Sequence, residues 1–346
     1  MIPEILPTIG VIGLGLIGGS LAKALLENEF IVYGIDNDIN TQNIARSDGI
    51  LITESIEALV NQSDLVFIAT PQEELFKVGD TIANYCNKEI TVSDVGSVKR
   101  PFHKMASQHA DKSNIQWIGG HPLAGTEHSG YSNANSRLFA GAVWAVSLEN
   151  ATDINTYLSL SKILLRLGVR ILPISPEVHD DSVARISHLP YILSALVAII
   201  AGESKNRNLT LNLAAGSFRD LTRVAGSRPS FSASLSLSNF DIVSDLLGEA
   251  TQDLQNIRNV ILDKQYAELL AYYSKGKAIR EAMLYKEVAR LSRTIEMQNS
   301  SKAISELISI GLSGALIVNQ KIVDDKAIEL GLEATLSSEL PSNDPE

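Results

Sequence analysis

The sequence predicts an α/β fold in which a parallel sheet is followed by an all-helical half. Two observations carry this prediction. Short apolar, β-branched runs alternate with helical segments up to residue 174, and from residue 175 onward helical periodicity replaces the strand pattern. Such alternation is typical of a parallel sheet with helices on both faces. A length of 346 residues exceeds most single cores, so two domains are expected.

Seven segments of the first half are predicted to be strands. In chain order they read TIGVIGLG, FIVYGID, DLVFIATP, ITVSDVG, IQWIGGHP, AVWAVSL and VRILPI. Helical segments separate most of them, and the first helix is expected over residues 20–28. Residues 1–174 therefore form the first predicted domain.

The second half begins with a clear helix start. Ser175 is the expected N-cap, Pro176 takes the first helical position and Glu177 lies in the first turn. Helical patterning continues to about residue 293, so residues 175–298 are predicted to form a helical domain. Residues 299–346 form a C-terminal extension. Its first part, ISELISIGLSGALIVNQKIV, is apolar enough to fold, and its end, SSELPSNDPE, is predicted to be a disordered tail.

Composition excludes several classes of partner. A net charge of −11 disfavours nucleic-acid binding, which needs clustered Lys and Arg. Cys86 is the only cysteine, so no internal disulfide forms, in keeping with a reducing cytoplasm. The apolar run 191–201 is too short to span a bilayer, no basic segment opens the chain, and no Cys/His spacing indicates a metal site.

A glycine loop joins the first predicted strand to the first helix. Gly13, Gly15 and Gly18 fit G-x-G-x-x-G, the loop that lets a backbone approach a pyrophosphate at a helix N-terminus. Leu16 and Ile17 stand in the same turn and are assigned to the same site. The alternative is that these glycines only serve the turn.

The end of the second strand supports dinucleotide binding. Asp36 lies about 20 residues beyond the loop, where a carboxylate accepts hydrogen bonds from a ribose diol and repels a 2′-phosphate. No Arg or Lys follows it, so NAD is expected rather than NADP. Thr70 and Pro71, after the third strand, are expected near the same cofactor. Asp36 could instead only cap the strand end.

Two polar side chains follow the next strands. Ser97 lies in DVGSVK and His121 in GGHPLAG, both at the predicted carboxyl edge of the sheet, where ligands of open α/β sheets bind. An imidazole titrates near neutrality, so His121 could take the proton that an alcohol loses as hydride departs. A structural role for His121 stays open.

The helical half supplies a second cluster. In RISHLPY, Ser187, His188 and Tyr191 lie within about one helical turn. Arg219 and Arg223 are four residues apart and are expected to share a helical face, where guanidinium groups suit a carboxylate. Structural ion pairs, with Asp220 or a nearby acid, are the alternative for both arginines.

The other histidines carry no such context. His103, His109 and His179 are expected to face solvent or to cap helices.

Together these motifs resemble a known family. GLGLIGGSLAKAL, SDVGSVK, GGHPLAGTEHSG, HDDSVARISHLPY and GSFRDLTRVAGSRP follow the order found in prephenate/arogenate dehydrogenases, the oxidative decarboxylases of tyrosine biosynthesis. The resemblance spans about residues 8–295. It implies an NAD-binding Rossmann-type domain, a helical dimerisation domain, a homodimer, and an active site between the domains that takes prephenate or arogenate.

The resemblance also implies residue roles. His121 matches the catalytic histidine that bonds the ring 4-hydroxyl, and Ser97 matches a serine that bonds the same hydroxyl. Arg223 matches an arginine that binds a substrate carboxylate. Glu127 and Ser187 match an acid and a serine that interact across the pocket entrance.

Three further positions concern the pocket wall. Arg219 matches a position that is often basic. Tyr191 stands where prephenate enzymes often have histidine, and SRPSFS lacks the tryptophan of their SDPxMW motif, so substrate preference is less certain than reaction type.

Two other classes stay open at this point. A β-hydroxyacid dehydrogenase should carry a catalytic lysine in its helical domain, and SHLPY offers none. A non-catalytic dinucleotide-binding sensor would need Gly13 and Asp36 but has no use for His121, Ser97 and Arg223 together. The extension after residue 299 is too short for a full ACT regulatory domain.

Overall fold

The computed structural model describes residues 6–125, 128–284, 287–324 and 326–336. The strands are β1 (Ile9–Ile12), β2 (Val32–Ile35), β3 (Leu51–Ile52), β4 (Leu65–Ile68), β5 (Ile90–Asp94), β6 (Ile115–Pro122), β7 (Val143–Ser147), β8 (Arg170–Ile174), β9 (Glu287–Glu296), β10 (Leu316–Asp324) and β11 (Ala327–Leu336). The helices of the first half are α1 (Leu16–Glu27), α2 (Ile39–Ser47), α3 (Ile56–Gln62), α4 (Leu75–Tyr85), α5 (Arg100–Gln108) and α6 (Ile154–Arg166). Those of the second half are α7 (Pro176–Val183), α8 (Leu189–Gly202), α9 (Arg207–Asn212), α10 (Gly216–Thr222), α11 (Pro229–Ser238), α12 (Phe240–Leu262), α13 (Tyr266–Leu284) and α14 (Ser300–Leu312).

The first half forms the predicted parallel sheet. Its strands run in the order β3-β2-β1-β4-β5-β6, and all five neighbouring pairs are parallel. This is the strand order of dinucleotide-binding folds, with the reversal point beside β1 and β4. Every residue of β1 and β4 is buried, as expected of strands covered on both faces. The predicted α/β class with a Rossmann-type first domain is confirmed.

The sheet continues beyond these six strands. β7 pairs antiparallel to β6 and parallel to β8, and β10, β11 and β9 extend the same sheet to eleven strands. α14 and the strands around it pack onto the main core through Ile304, Leu307, Ile317 and Leu330. Residues 300–336 are thus an integral part of the sheet domain.

The helical prediction for residues 287–298 was wrong. Residues 287–296 form β9, which pairs with β11 along ten residues from Ala327↔Glu296 to Leu336↔Glu287. Long-range backbone pairing decides this segment, because its own pattern is weak: Ile295 is its one fully buried side chain. The tail from residue 337, predicted to be disordered, lies outside the described residues.

The helical half begins as predicted. The hydroxyl of Ser175 accepts a hydrogen bond from the amide of Val178 at 3.4 Å, and Pro176 opens α7. A single π-helical turn, Ala184–His188, joins α7 to α8. The continuous helix Pro176–Gly202 is, by length and composition alone, apolar enough to cross a membrane, yet it carries the fully buried Asp180 and His188. A packing role against the sheet domain accounts for this polar, buried side.

Candidate active site

Of the three glycines in the loop, only Gly15 has open space beside its Cα, where a ligand can approach. Gly13 has φ +91°, and a Cβ there would meet the carbonyl oxygen of Ala69 at 2.7 Å. A Cβ on Gly18 would lie 2.0 Å from the carbonyl oxygen of Gly13, whereas a Cβ on Gly15 meets nothing within 4 Å. Leu16 then opens α1 without a capping side chain or an acidic residue in the first turn. The uncapped backbone N–H groups in the first turn of α1 are suited to binding a phosphate.

The neighbouring strand ends complete this site. Asp36 lies at the end of β2, and its carboxylate accepts the Leu14 amide at 2.7 Å and the Asp38 amide at 2.9 Å. It is therefore held beside the glycine loop. After β4, the buried Thr70 hydroxyl and the Gln72 side-chain nitrogen lack partners within the described part of the chain. Unpaired buried donors next to a phosphate-binding loop fit a bound dinucleotide.

A cavity of about 290 Å³ lies between the sheet domain and the helical domain. Its walls come from β6 and the loop after it, the π-helical turn, α8 and α11. The lining residues are Ser97, His121, Pro122, Leu123, Ala124, Val183, Ile186, Ser187, His188, Tyr191, Phe231 and Leu235. Five residues singled out in the sequence therefore meet in one place: Ser97, His121, Ser187, His188 and Tyr191.

His121 is the histidine of β6, and a second histidine holds its ring. The Nδ1 atom of His121 lies 2.9 Å from the Nε2 atom of His179, and His179 Nδ1 lies 2.7 Å from a carboxylate oxygen of Asp180. Burial places the pKa of His121 well below its usual 6.5, and the positive charge of Lys99 and the neighbouring His179 and His188 act in the same direction. Near neutrality His121 is an uncharged base.

Lys99 braces the strand that carries His121. Its side chain is fully buried, and its ammonium donates to the carboxylate of Asp94 and to the Gly120 carbonyl. The other oxygen of Asp94 accepts the Gly120 amide at 3.0 Å. Burial lowers the pKa of Lys99, and the Asp94 carboxylate opposes that effect. The ion pair thus fastens the ends of β5 and β6 next to the cavity.

Arg100 fastens the two domains to each other. Its guanidinium binds both oxygens of Asp241 at 2.6 and 2.7 Å, and the Asn239 oxygen at 2.7 Å. It also reaches Asp180, at 3.3 Å, while Asn239 donates to the Asp180 carbonyl at 2.8 Å. The cavity wall from the helical domain is therefore anchored to α5 of the sheet domain.

Comparisons with known proteins agree with this architecture. Residues 21–173 match the family model described as prephenate dehydrogenase, nucleotide-binding domain. Residues 175–275 match the model described as prephenate dehydrogenase, dimerization domain. The chain belongs to the prephenate dehydrogenase family. It is an NAD-dependent dehydrogenase, and its helical half is the dimerisation domain of that family.

Three relatives give the range of this similarity. A prephenate dehydrogenase of Lactococcus lactis is 31% identical, over 79% of this chain and 76% of its own length. The solved prephenate dehydrogenase of A. aeolicus, in complex with hydroxyphenyl propionate and NAD⁺, has a TM-score of 0.74 at 25% identity, covering 81% of this chain and 99% of its own. Synechocystis arogenate dehydrogenase has a TM-score of 0.71 at 30% identity, with coverages of 79% and 99%.

Other residues predicted for the site do not meet in the cavity. Arg219 and Arg223 are exposed, and neither lines the cavity or forms an ion pair within the residues that the structure describes. Arg219 lies in α10, and Arg223 follows its last residue, Thr222, and begins a 3₁₀ turn. Glu127 lies outside the described residues.

The expectation that His103, His109 and His179 face solvent or cap helices was wrong for His103 and His179. His179 is buried against His121, and His103 is buried with its ring nitrogens on Ser147 and Glu149. His109 is the C-cap residue of α5, in agreement with the expectation, and its ring binds Asp80 and stacks on Trp117. The sequence offers a signal only for His179. This histidine stands next to Asp180 within HDDSVARISHLPY, one of the motifs that resemble the family.

The π-helical turn brings one more histidine to the cavity. His188 is fully buried, and burial lowers its pKa to about 4. Its Nδ1 lies 3.4 Å from the side-chain nitrogen of Asn239, and its Nε2 has no hydrogen-bond partner among the described residues. Because an amide nitrogen can only donate, this contact fits a neutral His188 whose proton is on Nε2.

Proposed function

We propose that this chain catalyses the NAD-dependent oxidative decarboxylation of prephenate to 4-hydroxyphenylpyruvate, with His121 as the base. The observation that carries the proposal is the position of His121. Its uncharged ring lines the interdomain cavity beside Ser97, at the carboxyl edge of the sheet that also bears the glycine loop. The family indicates the reaction class. The cavity between the domains contributes a base, His121, and a hydroxyl group, Ser97.

In this reaction the protein has to position the substrate against the nicotinamide and to accept and return one proton. NAD, held at Gly13, Gly15, Gly18 and Asp36, supplies the hydride acceptor. His121 accepts the proton of the ring 4-hydroxyl at Nε2 while the hydrogen on the same carbon leaves as hydride. Ser97 donates to that oxygen and orients it. As CO₂ leaves and the ring becomes aromatic, His121 returns its proton to the ring oxygen.

The charge of the cavity favours prephenate over arogenate. Prephenate has a keto group where arogenate has an ammonium, and a desolvated ammonium needs a carboxylate or several acceptors. Among the described residues no Asp or Glu lines the cavity, and the one acid that the family motif assigns to the pocket, Glu127, is placed at its entrance rather than beside this group.

Arogenate is the second candidate. The observation in its favour is Tyr191, which lines the cavity and packs edge-on against Phe231 with ring centroids 6.1 Å apart. A phenol hydroxyl can accept from an ammonium as readily as it donates to a keto group. The 30% identity to Synechocystis arogenate dehydrogenase is compatible with either substrate.

The remaining assignments rest on the family motif. We assign Arg223 to a substrate carboxylate, Ser187 and Glu127 to the pocket entrance and Arg219 to a supporting basic position. We also propose that the active form is a homodimer that works in the cytoplasm. The exposed apolar side chains of α8, such as Ile199 and Ile200, support the dimer because water is a poor environment for them.

The test is a side-by-side measurement of kcat/KM for prephenate and arogenate with NAD at one pH. We expect prephenate to be preferred, and Tyr191→His to keep or increase that preference. A preference for arogenate above about tenfold would overturn the substrate assignment. NADH formation from neither substrate, by protein that binds NAD, would overturn the function itself.

A further inference from the structure

Three side chains form a continuous line of hydrogen bonds, from the partly exposed His121 at the cavity to the buried His179 and Asp180. His121 Nδ1 contacts His179 Nε2 at 2.9 Å, and His179 Nδ1 contacts Asp180 Oδ1 at 2.7 Å. The two rings cross edge to face, with centroids 5.1 Å apart. His179 is 2% exposed and Asp180 is fully buried, so water does not compete for these contacts.

Asp180 is held as a carboxylate. The backbone amides of Lys99 and Arg100 donate to its two oxygens at 2.7 and 2.9 Å. Burial favours the protonated form, but the hydrogen bonds from His179 and from these amides keep the pKa of Asp180 below its usual range. An ionised carboxylate can only accept hydrogen bonds, which fixes the direction of the whole line.

The direction of the line sets the tautomer of each ring. Because Asp180 only accepts, Nδ1 of His179 must carry a proton, and neutral His179 then has a bare Nε2. That Nε2 accepts from His121, so His121 carries its proton on Nδ1 and has a bare Nε2. A bare Nε2 is the form that His121 needs as a base.

We propose that His179 and Asp180 are positioning residues that fix His121 in its base-competent tautomer and share the positive charge once His121 is protonated. The inference rests on the proposed function, since it assumes that His121 removes the hydroxyl proton. In that step the substrate O–H bond breaks, an N–H bond forms at His121 Nε2, and the bonding pair stays on oxygen. The Asp180 carboxylate then stabilises the single positive charge shared by the two rings, as the aspartate does for the histidine of a Ser-His-Asp triad.

The other charged groups near His121 either oppose its protonation or are bound to other residues. Lys99, from the segment before α5, and His188, from the π-helical turn, both oppose protonation of His121. Asp94, at the end of β5, is engaged by Lys99 and by the Gly120 amide. Arg100 lies on the far side of Asp180. Asp180, acting through His179, is thus the carboxylate joined to His121 by a line of hydrogen bonds.

The first experiment reads the tautomer in the free, full-length protein. ¹⁵N-histidine NMR distinguishes protonated from unprotonated ring nitrogens, and His121→Asn assigns the signals. We expect Nδ1 of His121 to carry the proton and Nε2 to be bare at pH 7. A proton on Nε2 of neutral His121 would overturn the proposal. This reading needs no substrate, so it stands even if the protein oxidises neither prephenate nor arogenate.

The second experiment changes the line and measures kcat and KM with the preferred substrate. Asp180→Asn removes the negative charge and replaces one of the two acceptor oxygens with a donor, which weakens the acceptor that fixes the His179 tautomer and the charge behind the rings. The corresponding change in a Ser-His-Asp triad costs about 10⁴-fold in kcat, and we expect a loss on the order of 10³- to 10⁴-fold with KM near that of the parent. Unchanged kcat and an unchanged His121 tautomer would overturn the proposal.

A pair of substitutions at the middle position separates positioning from packing. His179→Gln keeps an acceptor for His121 and a donor for Asp180, whereas His179→Leu keeps neither. We expect Gln to retain kcat within about tenfold and Leu to lose at least about 100-fold. Equal losses in the two variants would indicate a packing role only and contradict the proposal. This pair also decides the matter if Asp180→Asn fails to fold.

The matched control is His103→Gln. His103 is also a buried histidine of the sheet domain, bonded to Ser147 at 2.9 Å and to Glu149 at 3.0 Å, and it does not line the cavity. It should change thermal stability without moving the His121 signals or the acid limb of the pH profile. A His103 variant that shifts the His121 tautomer would show that any buried histidine has this effect, against the proposal.

Discussion

At the scale of single residues, Asp36 decides which dinucleotide binds. Its carboxylate is fixed by the Leu14 amide at 2.7 Å and the Asp38 amide at 2.9 Å, so it cannot easily turn away from a 2′-phosphate. Asp36→Ala should narrow the ratio of kcat/KM for NAD over NADP by removing that repulsion. Steady-state rates with both cofactors measure the ratio. A parent enzyme that already prefers NADP would contradict this role.

The pKa of His121 predicts the acid limb of the pH profile. Burial and the nearby Lys99, His179 and His188 place that pKa well below 6.5, so the base form is present at and above neutral pH. kcat/KM should therefore stay level as the pH falls to 6.5. It should drop only in more acidic solution, as His121 takes up a proton. An acid limb with its midpoint at or above pH 6.5 would disagree with a His121 that is uncharged at neutral pH.

Residue types at strand ends could be predicted, but side-chain pairing between domains could not. Ser97 and His121 follow strands, and Ser187 and Tyr191 share one helix, so local pattern was enough to single them out. The partnership of His121 with His179 joins positions 58 apart in the chain. A single sequence contains no information on which histidine contacts which, so from the sequence alone His179 is expected only to face solvent or to cap a helix.

At the scale of elements, the loop between β1 and α1 offers a matched pair of substitutions. Gly15→Ala should fold normally, since its Cβ meets nothing within 4 Å, but should weaken NAD binding by about tenfold or more, since the new methyl group occupies the ligand side. Gly13→Ala should lower thermal stability as well, because φ is +91° and its Cβ would meet the Ala69 carbonyl at 2.7 Å.

Calorimetry and NAD titration measure the two effects separately. Equal loss of stability in both variants would mean that Gly15 serves the fold rather than the ligand.

Local pattern also explains which elements were predicted. Strands β1, β2, β4, β5, β6, β7 and β8 are short apolar runs bounded by turns, so their own sequence indicates them. β3 has two residues and β9 has one fully buried side chain, so neither carries a strand pattern of its own. Both form because a neighbouring strand offers a free edge. That is a property of the folded chain rather than of the segment.

At the scale of the whole molecule, the helical domain leaves much apolar surface uncovered. On α13, Tyr266, Leu270, Tyr273 and Ile279 are each more than half exposed. Uncovered apolar area of this extent is typical of a subunit interface. Sedimentation at micromolar concentration should therefore give about twice the chain mass of 37.4 kDa. A monomer under these conditions would count against the dimer.

A charge placed on this surface tests the interface directly. Leu270→Glu should shift the sedimentation equilibrium toward monomer, because a buried carboxylate without a partner is unfavourable. Leu51→Glu is the control: Leu51 is similarly exposed but lies on β3, far along the sheet from the helical domain. If both substitutions affect association equally, α13 does not form the contact.

The most direct test of the account is the rate of NADH formation from prephenate by the parent enzyme and by His121→Asn. An asparagine keeps polarity at the cavity wall but cannot accept the hydroxyl proton. We expect kcat to fall by about 10²- to 10⁴-fold, the usual contribution of a general base, with modest change in KM and unchanged NAD affinity. Turnover close to that of the parent by a folded His121→Asn protein would contradict it.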